Sequence, residues 1–147
     1  MSADGDLDAG DFVLDAMGER WADDLCQNNY QSPGYFSSED QDSQRWQYYR
    51  CRTVGQNTIA YNGTDQLVTA SPSVEFKDTD DNDSYFWIAD LTSAYAGPKI
   101  RRGLRFEKRQ GYAIIQDEIS EADHHSQWRM HTKAKITLEE DGRIASR

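Results

Sequence analysis

The chain has 147 residues, a net charge of −10, 37% hydrophobic residues and 12% aromatic residues. This length suits one domain with a substantial core, and the aromatic content argues against a disordered chain. No apolar run reaches the roughly 18 residues that a membrane span needs. The whole acidic excess lies in residues 1–42, and the remainder is neutral, so nucleic acid is excluded as a partner because binding it requires a basic face.

Alternation of polar and apolar side chains predicts short strands through most of the chain. The first is Phe12–Ala16, which ends at Gly18. The polar stretch Trp21–Ser43 lacks this alternation and is predicted to be a long loop that folds against its own aromatic residues, Tyr30, Tyr35 and Phe36.

Aromatic residues and arginines interleave over Arg45–Arg52, the next predicted strand. Rings stack on pyranose faces and guanidinium groups bind carboxylates or sulfates, so the pattern suits sugar binding. An ordinary aromatic strand whose arginines extend to solvent has the same pattern, and composition alone favours this second interpretation.

Six further strands are predicted in chain order: Asn57–Tyr61, Thr64–Ala70, Val74–Lys77, Tyr85–Leu91, Ile100–Lys108 and Tyr112–Ile119. The Asn62-Gly63 pair predicts a hairpin between the first two, and residues 109–111 predict one between the last two.

The clearest alternation spans Gln127–Leu138 and predicts one continuous, half-buried strand. Its predicted inward residues are Trp128, Met130, Ala134 and Ile136, and its predicted outward residues are Arg129, Lys133 and Lys135. Regularly spaced strands without a convincing long helix predict an all-β, antiparallel β-sandwich that forms a single domain over residues 1–147.

Three other features have ordinary interpretations. Residues 78–83 resemble a calcium loop but lack its glycine and its closing glutamate, so a solvated turn is predicted. Cys26 and Cys51 are interpreted as two thiols, with a disulfide left open. None of the histidines has metal-ligand spacing, and each is predicted to be a surface residue: His124, His125 and His131.

Seven segments, read in order, carry a family resemblance: Leu7–Asp15, Arg20–Leu25, Tyr30–Phe36, Arg45–Thr58, Ala89–Tyr95, Gln116–Ile119 and Trp128–Thr132. Together they resemble the C-terminal β-sandwich of heparinase II/III-like polysaccharide lyases, including the oligoalginate lyases. The most specific part is the run of arginines and tyrosines followed by Gly-x-Asn-Thr within residues 45–58.

The resemblance implies a two-part enzyme that cleaves uronic-acid polysaccharides by β-elimination. In that family a helical toroid precedes the sandwich and carries most of the catalytic groups. The chain is therefore expected to be a fragment of a larger lyase, incomplete at both ends, without catalytic residues of its own and inactive in isolation. The alternative is a non-enzymatic carbohydrate-binding or structural module.

Four residues match positions near the family's substrate cleft: Tyr30, Tyr49, Arg50 and Arg52. The resemblance implies that they stack on sugar rings, form hydrogen bonds or bind carboxylates. For each of them, internal support of the sandwich is the alternative interpretation.

The family's metal site matches Asp6, Asp24 and Gln56 in this chain. Zinc, the metal expected in the family, prefers imidazole and thiolate ligands, whereas two carboxylates and an amide suit a weakly bound hard cation. We therefore expect a degraded, empty site and no cofactor, with calcium or magnesium binding weakly at most.

The expected partners are an acidic polysaccharide or oligosaccharide and the helical toroid, both in the full-length context, with neither nucleic acid nor membrane. The family implies a periplasmic or secreted protein, although the acidic first residues lack the pattern of a signal peptide.

Overall fold

A computed structural model describes residues 5–25, 29–78, 82–120, 123–140 and 144–146. The described part contains ten strands: β1 (Leu14–Ala16), β2 (Glu19–Ala22), β3 (Ile59–Tyr61), β4 (Ser73–Asp78), β5 (Ser84–Asp90), β6 (Lys99–Glu107), β7 (Tyr112–Ser120), β8 (Ser126–Trp128), β9 (Ile136–Leu138) and β10 (Ile144–Ser146). It also contains four short 3₁₀ turns: Gln44–Gln47, Tyr49–Cys51, Thr53–Gly55 and Thr92–Ala94. Among these residues, no helix has the length and apolar character that a membrane crossing requires.

The largest sheet has four strands in the order β4-β5-β6-β7, and every neighbouring pair is antiparallel. All four strands confirm the sequence predictions to within two residues at either end. The predicted hairpin between β6 and β7 is also confirmed, because Glu107 pairs with Tyr112 and the Gly111 amide donates to the Glu107 carbonyl at 2.8 Å. Gly111 has a φ of 72°, a conformation that glycine adopts without steric cost.

One end of this sheet packs onto the larger hydrophobic core. The buried residues of that core are Ile59, Tyr61, Ala89, Leu91, Ala94, Tyr95 and Ile100. A second core lies nearer the N-terminus and contains Leu7, Tyr35, Trp46 and Cys51. Sheets with antiparallel pairing and two apolar clusters confirm the predicted all-β fold of the β-sandwich class.

The predicted strand over Arg45–Arg52 is wrong, because residues 44–55 form three consecutive 3₁₀ turns, here called the 3₁₀ segment. Its amides donate to carbonyls three residues back, as Tyr48 does to Arg45 at 3.1 Å, which is the hydrogen-bond pattern of a 3₁₀ helix. The coiling also brings Gly55 so close to Tyr49 that a Cβ on Gly55 would lie 2.1 Å from the Tyr49 carbonyl oxygen.

The predicted strand over Thr64–Ala70 is also wrong. Asn62 and Gly63 do form a tight turn, with φ values of 52° and 68°, but β3 pairs with β8 instead of with a returning strand. After the turn, Asp65 bonds to the backbone amide of Thr53 at 3.1 Å, which draws the chain toward the 3₁₀ segment. Tertiary contacts therefore override the local hairpin signal.

The single strand predicted over Gln127–Leu138 is divided into β8 and β9, and its predicted inward face is wrong. Trp128, Met130 and Ile136 are 50%, 39% and 58% exposed. The Arg129 amide continues the β3–β8 pairing with one bond to the Thr58 carbonyl at 3.1 Å. The pairing ends there because the His131 amide donates to the side-chain Oδ1 of Asn57. Of the remaining predicted positions, Lys133 and Lys135 are exposed, and Arg129 and Ala134 are half-buried.

The first predicted strand is shorter than expected, since only Leu14–Ala16 pairs with β2. It ends in a turn at Gly18, whose φ of 82° matches the predicted stop. In the long loop that follows, Tyr30, Tyr35 and Phe36 form the predicted aromatic cluster. Cys51 is buried, whereas Cys26 and residues 79–81 of the acidic loop lie outside the described residues.

Candidate functional site

Asn57 is fully buried at the point where three distant parts of the chain meet. Its side-chain Nδ2 donates to the carbonyls of Phe12 at 2.8 Å and Asp23 at 3.0 Å. Its Oδ1 accepts a hydrogen bond from the backbone amide of His131 at 2.6 Å. Its own backbone amide donates to the carboxylate of Asp11. One amide side chain thus joins the N-terminal strands, the residues after the 3₁₀ segment and the chain after β8.

Tyr49 and His131 form a hydrogen-bonded pair at the surface beside Asn57. The Tyr49 hydroxyl lies 2.9 Å from His131 Nε2, and the two rings meet edge to face at 5.9 Å. Tyr49 is 48% exposed, so its hydroxyl is accessible to a ligand. Burial lowers the pKa of His131, and the positive charge of Arg129 lowers it further. The imidazole is therefore neutral at neutral pH.

Positive side chains lie on either side of this pair in the sequence. Arg50 follows Tyr49 directly and is exposed. Arg129 and Lys133 flank His131, and Lys133 pairs with Asp23 at 2.8 Å, which lowers the pKa of that carboxyl group. The charge of Arg129 reaches the imidazole, since it lowers the pKa of His131, and Arg50 is the neighbour of Tyr49 in the chain.

The other two predicted sugar-binding residues have different surroundings. Tyr30 is 60% exposed and its ring packs against Tyr35 and Phe36, with centroids 5.4 and 5.6 Å apart. Arg52 is partly buried and its Nε lies 2.9 Å from the Asp65 carboxylate. Tyr30 thus presents an open ring face, whereas the guanidinium of Arg52 supports the 3₁₀ segment from within.

The predicted metal ligands Asp6, Asp24 and Gln56 do not form a site that fits zinc. The Asp6 carboxylate accepts a hydrogen bond from Arg45 at 3.2 Å, so a guanidinium already balances its charge. Gln56 donates through Nε2 to the Arg50 carbonyl at 2.7 Å. None of these three candidate metal ligands is an imidazole or a thiolate, the groups that zinc prefers. Across the residues that the structure describes, no three His, Cys, Asp or Glu side chains are arranged to hold a metal ion. Weak calcium or magnesium binding stays a prediction.

Several carboxylates nevertheless lie close together near the N-terminus. Burial is the largest cause of the raised pKa of Asp6, Asp8 and Asp11, and the charge of Asp24 raises all three further. The pKa of Asp11 reaches about 6 even though the backbone amides of Asn57 and Phe12 favour its ionised form. The expected repulsion between Asp6 and Asp24 is thus present, although it contributes less than burial does.

Sequence reasoning missed the two residues that organise the site. The sequence predicts His131 as a surface residue, and it predicts Asn57 only as the first residue of a strand and as part of the Gly-x-Asn-Thr motif. Their contacts join residues 74 positions apart in the chain, and no local pattern carries that information. The one available signal was the Gly-x-Asn-Thr motif, whose asparagine is Asn57.

The family model described as "Heparinase II/III-like, C-terminal" matches residues 1–146, which is nearly the whole chain. No curated protein matches the chain.

Proposed function

Because this chain belongs to the heparinase II/III-like C-terminal family, we propose that it forms one wall of the substrate cleft of a uronic-acid polysaccharide lyase. In this proposal Tyr49 and Arg50 contact the polymer directly and Tyr30 supplies a ring on which a sugar can stack. Arg52 holds the 3₁₀ segment in shape. The bound ligand is an acidic polysaccharide or oligosaccharide.

The observation that carries this proposal is the exposed Tyr49 hydroxyl, 2.9 Å from His131 and next to an exposed arginine. A tyrosine that only supported the core would have its hydroxyl buried among protein groups. An exposed phenol with a guanidinium beside it offers hydrogen bonds to sugar hydroxyls and an ionic contact to a uronate carboxylate.

β-Elimination needs three tasks that this domain does not complete. The C6 carboxylate must be neutralised, a base must remove the C5 proton, and an acid must protonate the leaving oxygen as the C4–O bond breaks and a C4–C5 double bond forms. Arg50 can contribute to the first task. We assign the two proton transfers to the helical toroid of the full-length enzyme.

Titration calorimetry of the purified chain with short oligouronides tests the proposal. We expect binding to an oligoalginate or a related uronate oligomer, and no increase in the ultraviolet absorbance of an unsaturated product. Arg50→Ala should weaken binding about tenfold, the effect of losing a charge-assisted hydrogen bond. Arg109→Ala is the matched control, because Arg109 lies in the β6–β7 turn and has the same charge. Absence of binding to all uronate oligomers would contradict the proposal.

A non-enzymatic carbohydrate-binding module is the alternative, and it predicts the same binding by this chain. The two differ in the full-length polypeptide. If a helical toroid is encoded in frame before Met1 and its product cleaves the bound oligomer, the lyase interpretation holds. If the natural polypeptide binds the oligomer without cleaving it, the module interpretation holds.

A further inference from the structure

The side-chain amide of Asn57 has only one possible orientation. Two backbone carbonyls, of Phe12 and Asp23, lie 2.8 and 3.0 Å from one side of the amide, and a backbone N–H group, of His131, lies 2.6 Å from the other. Carbonyls can only accept and the N–H can only donate, so Nδ2 faces the carbonyls and Oδ1 faces His131.

This orientation sets the proton on the imidazole. His131 Nδ1 lies 3.3 Å from Asn57 Oδ1, and because that oxygen only accepts, Nδ1 carries the proton. In the neutral ring Nε2 is then unprotonated and can only accept a hydrogen bond. The Tyr49 hydroxyl, 2.9 Å from Nε2, must therefore donate to it. The burial that lowers the pKa of His131 is consistent with a neutral ring.

We propose that the chain Asn57–His131–Tyr49 turns the Tyr49 hydroxyl into a one-way hydrogen-bond acceptor that selects a free sugar hydroxyl on the ligand. This inference rests on the proposed function and specifies its chemistry. The phenol proton is committed to His131, so only oxygen lone pairs face the solvent. Carboxylates, sulfates and acylated hydroxyls cannot donate a hydrogen bond to them. His131 and Asn57 act as positioning residues.

The surrounding charges assign the ligand's carboxylate to a different place. Arg50 follows Tyr49 in the chain and donates to the Leu25 carbonyl at 3.5 Å. Arg129, whose charge lowers the pKa of His131, donates to the Val54 carbonyl at 3.0 Å and to Gln127 at 2.8 Å. The carboxylate of Asp23 is paired with Lys133. A uronate has both a carboxylate and ring hydroxyls. Its carboxylate fits the arginines, and one of its ring hydroxyls fits Tyr49.

Nitrogen-15 NMR of the imidazole rings tests the first half of the proposal without a ligand. We expect His131 to be the Nδ1–H tautomer with an unprotonated Nε2 at neutral pH. His124 and His125 are exposed internal controls and should show the Nε2–H form that predominates in free histidine. A protonated Nε2 on neutral His131, or an averaged tautomer, would overturn the inference and leave the proposed function standing.

Binding of a short oligoalginate and its O-acetylated form tests the second half. The wild type should prefer the unmodified oligomer about tenfold, which is the effect of one exposed hydrogen bond. Tyr49→Phe should remove the preference, and His131→Leu should reduce it because the Tyr49 hydroxyl is freed to donate. His125→Leu should keep the wild-type preference.

The outcomes separate the two proposals. Binding of both oligomers with equal affinity by the wild type would overturn the inference but not the proposed function. Binding of neither oligomer would contradict the proposed function, and the inference would fail with it. A preference that survives in Tyr49→Phe would show that another residue recognises the hydroxyl, which also overturns the inference.

Discussion

The four-stranded sheet and the 3₁₀ segment are stabilised by different kinds of hydrogen bond. Within the sheet, backbone groups of neighbouring strands bond to one another along the full length of β6 and β7. Around the 3₁₀ segment, buried side chains bond to the backbone of residues far away in the sequence, as Thr53, Asn57 and Gln66 do. A backbone ladder tolerates most side-chain changes, whereas removing a buried polar side chain leaves each of its partners unsatisfied.

This difference separates a scaffold from a candidate site. Tyr49 and Arg50, the side chains that we propose to face the ligand, belong to the 3₁₀ segment. His131 is hydrogen-bonded to Asn57, which lies two residues after the end of that segment. Arg102 of β6 connects the two regions, since its buried guanidinium bonds to Asp117 on β7 and to the carbonyl of Asn57. We therefore expect changes near the 3₁₀ segment to affect stability and binding together.

The largest effect is expected where the two regions join. Arg102→Met should destabilise the fold by about 3–5 kcal/mol, because it leaves the buried carboxylate of Asp117 without its partner. Arg101→Met, on the exposed face of the same strand, should cost less than about 1 kcal/mol. Urea unfolding of both variants measures the difference. Equal losses would show that the buried pair has no special role.

Two glycines give a direct comparison of the regions. Gly55→Ala should cost about 1–3 kcal/mol, because the new Cβ would lie 2.1 Å from the Tyr49 carbonyl oxygen. Gly103→Ala in the middle of β6 should instead gain about 0.5–1 kcal/mol, since its nearest neighbours would be 3.9 Å away. Thermal unfolding of the two variants checks the opposite signs. A stabilised Gly55→Ala would contradict the close approach inside the 3₁₀ segment.

These contrasts also show how far the sequence predicts the structure. Alternation located the four strands of the large sheet, because each residue's environment there depends on its nearest neighbours. The same alternation wrongly predicted a strand over Arg45–Arg52. There the backbone conformation depends on the burial of Arg45 beside Asp6 and on the close approach of Gly55 to Tyr49. Tyr49 and Arg50 were predicted as candidate ligand contacts from the family resemblance. His131 was not, because its partner Tyr49 is 82 residues away in the chain.

A smaller, pH-dependent effect is expected at Asp11. Folding raises the pKa of this carboxyl group from 3.8 to about 6, chiefly because of burial. The folded state therefore binds more protons between these values, and the wild type loses stability as pH rises through about 6. Asp11→Asn avoids this loss, so it should be more stable than the wild type above pH 6, on the order of 1 kcal/mol, and equal to it in acid.

Asp15 provides the control for this pH dependence. Its bond with Arg20 lowers the pKa of its carboxyl group, so its contribution is present at neutral pH and is lost as the pH falls through the lowered pKa. Asp15→Asn should therefore have the opposite pH dependence from Asp11→Asn. Unfolding midpoints measured from pH 3 to 8 give both profiles. Parallel profiles would contradict the assigned environments.

The smallest effect is expected at the ion pair between the exposed side chain of Lys133 and the largely buried carboxylate of Asp23. Lys133→Ala should change stability by less than about 0.5 kcal/mol, because the lysine is exposed and solvent screens the ion pair. The pKa of the Asp23 carboxyl group should nevertheless rise toward its ordinary value, since the bond with Lys133 is the main cause that lowers it. NMR titration of Asp23 measures this shift. A large loss of stability would mean that Lys133 supports the site more than its exposure indicates.

Chemical-shift mapping with a short oligoalginate tests the division between scaffold and site most directly. Ligand-dependent shifts should concentrate at Tyr49, Arg50 and residues 128–131, with little change on the face of the four-stranded sheet that carries Phe76 and Phe86. Arg50→Ala should reduce the shifts at the site, and Arg109→Ala should leave them unchanged. Shifts centred on Phe76 and Phe86, with none at Tyr49 or His131, would contradict this division between scaffold and site.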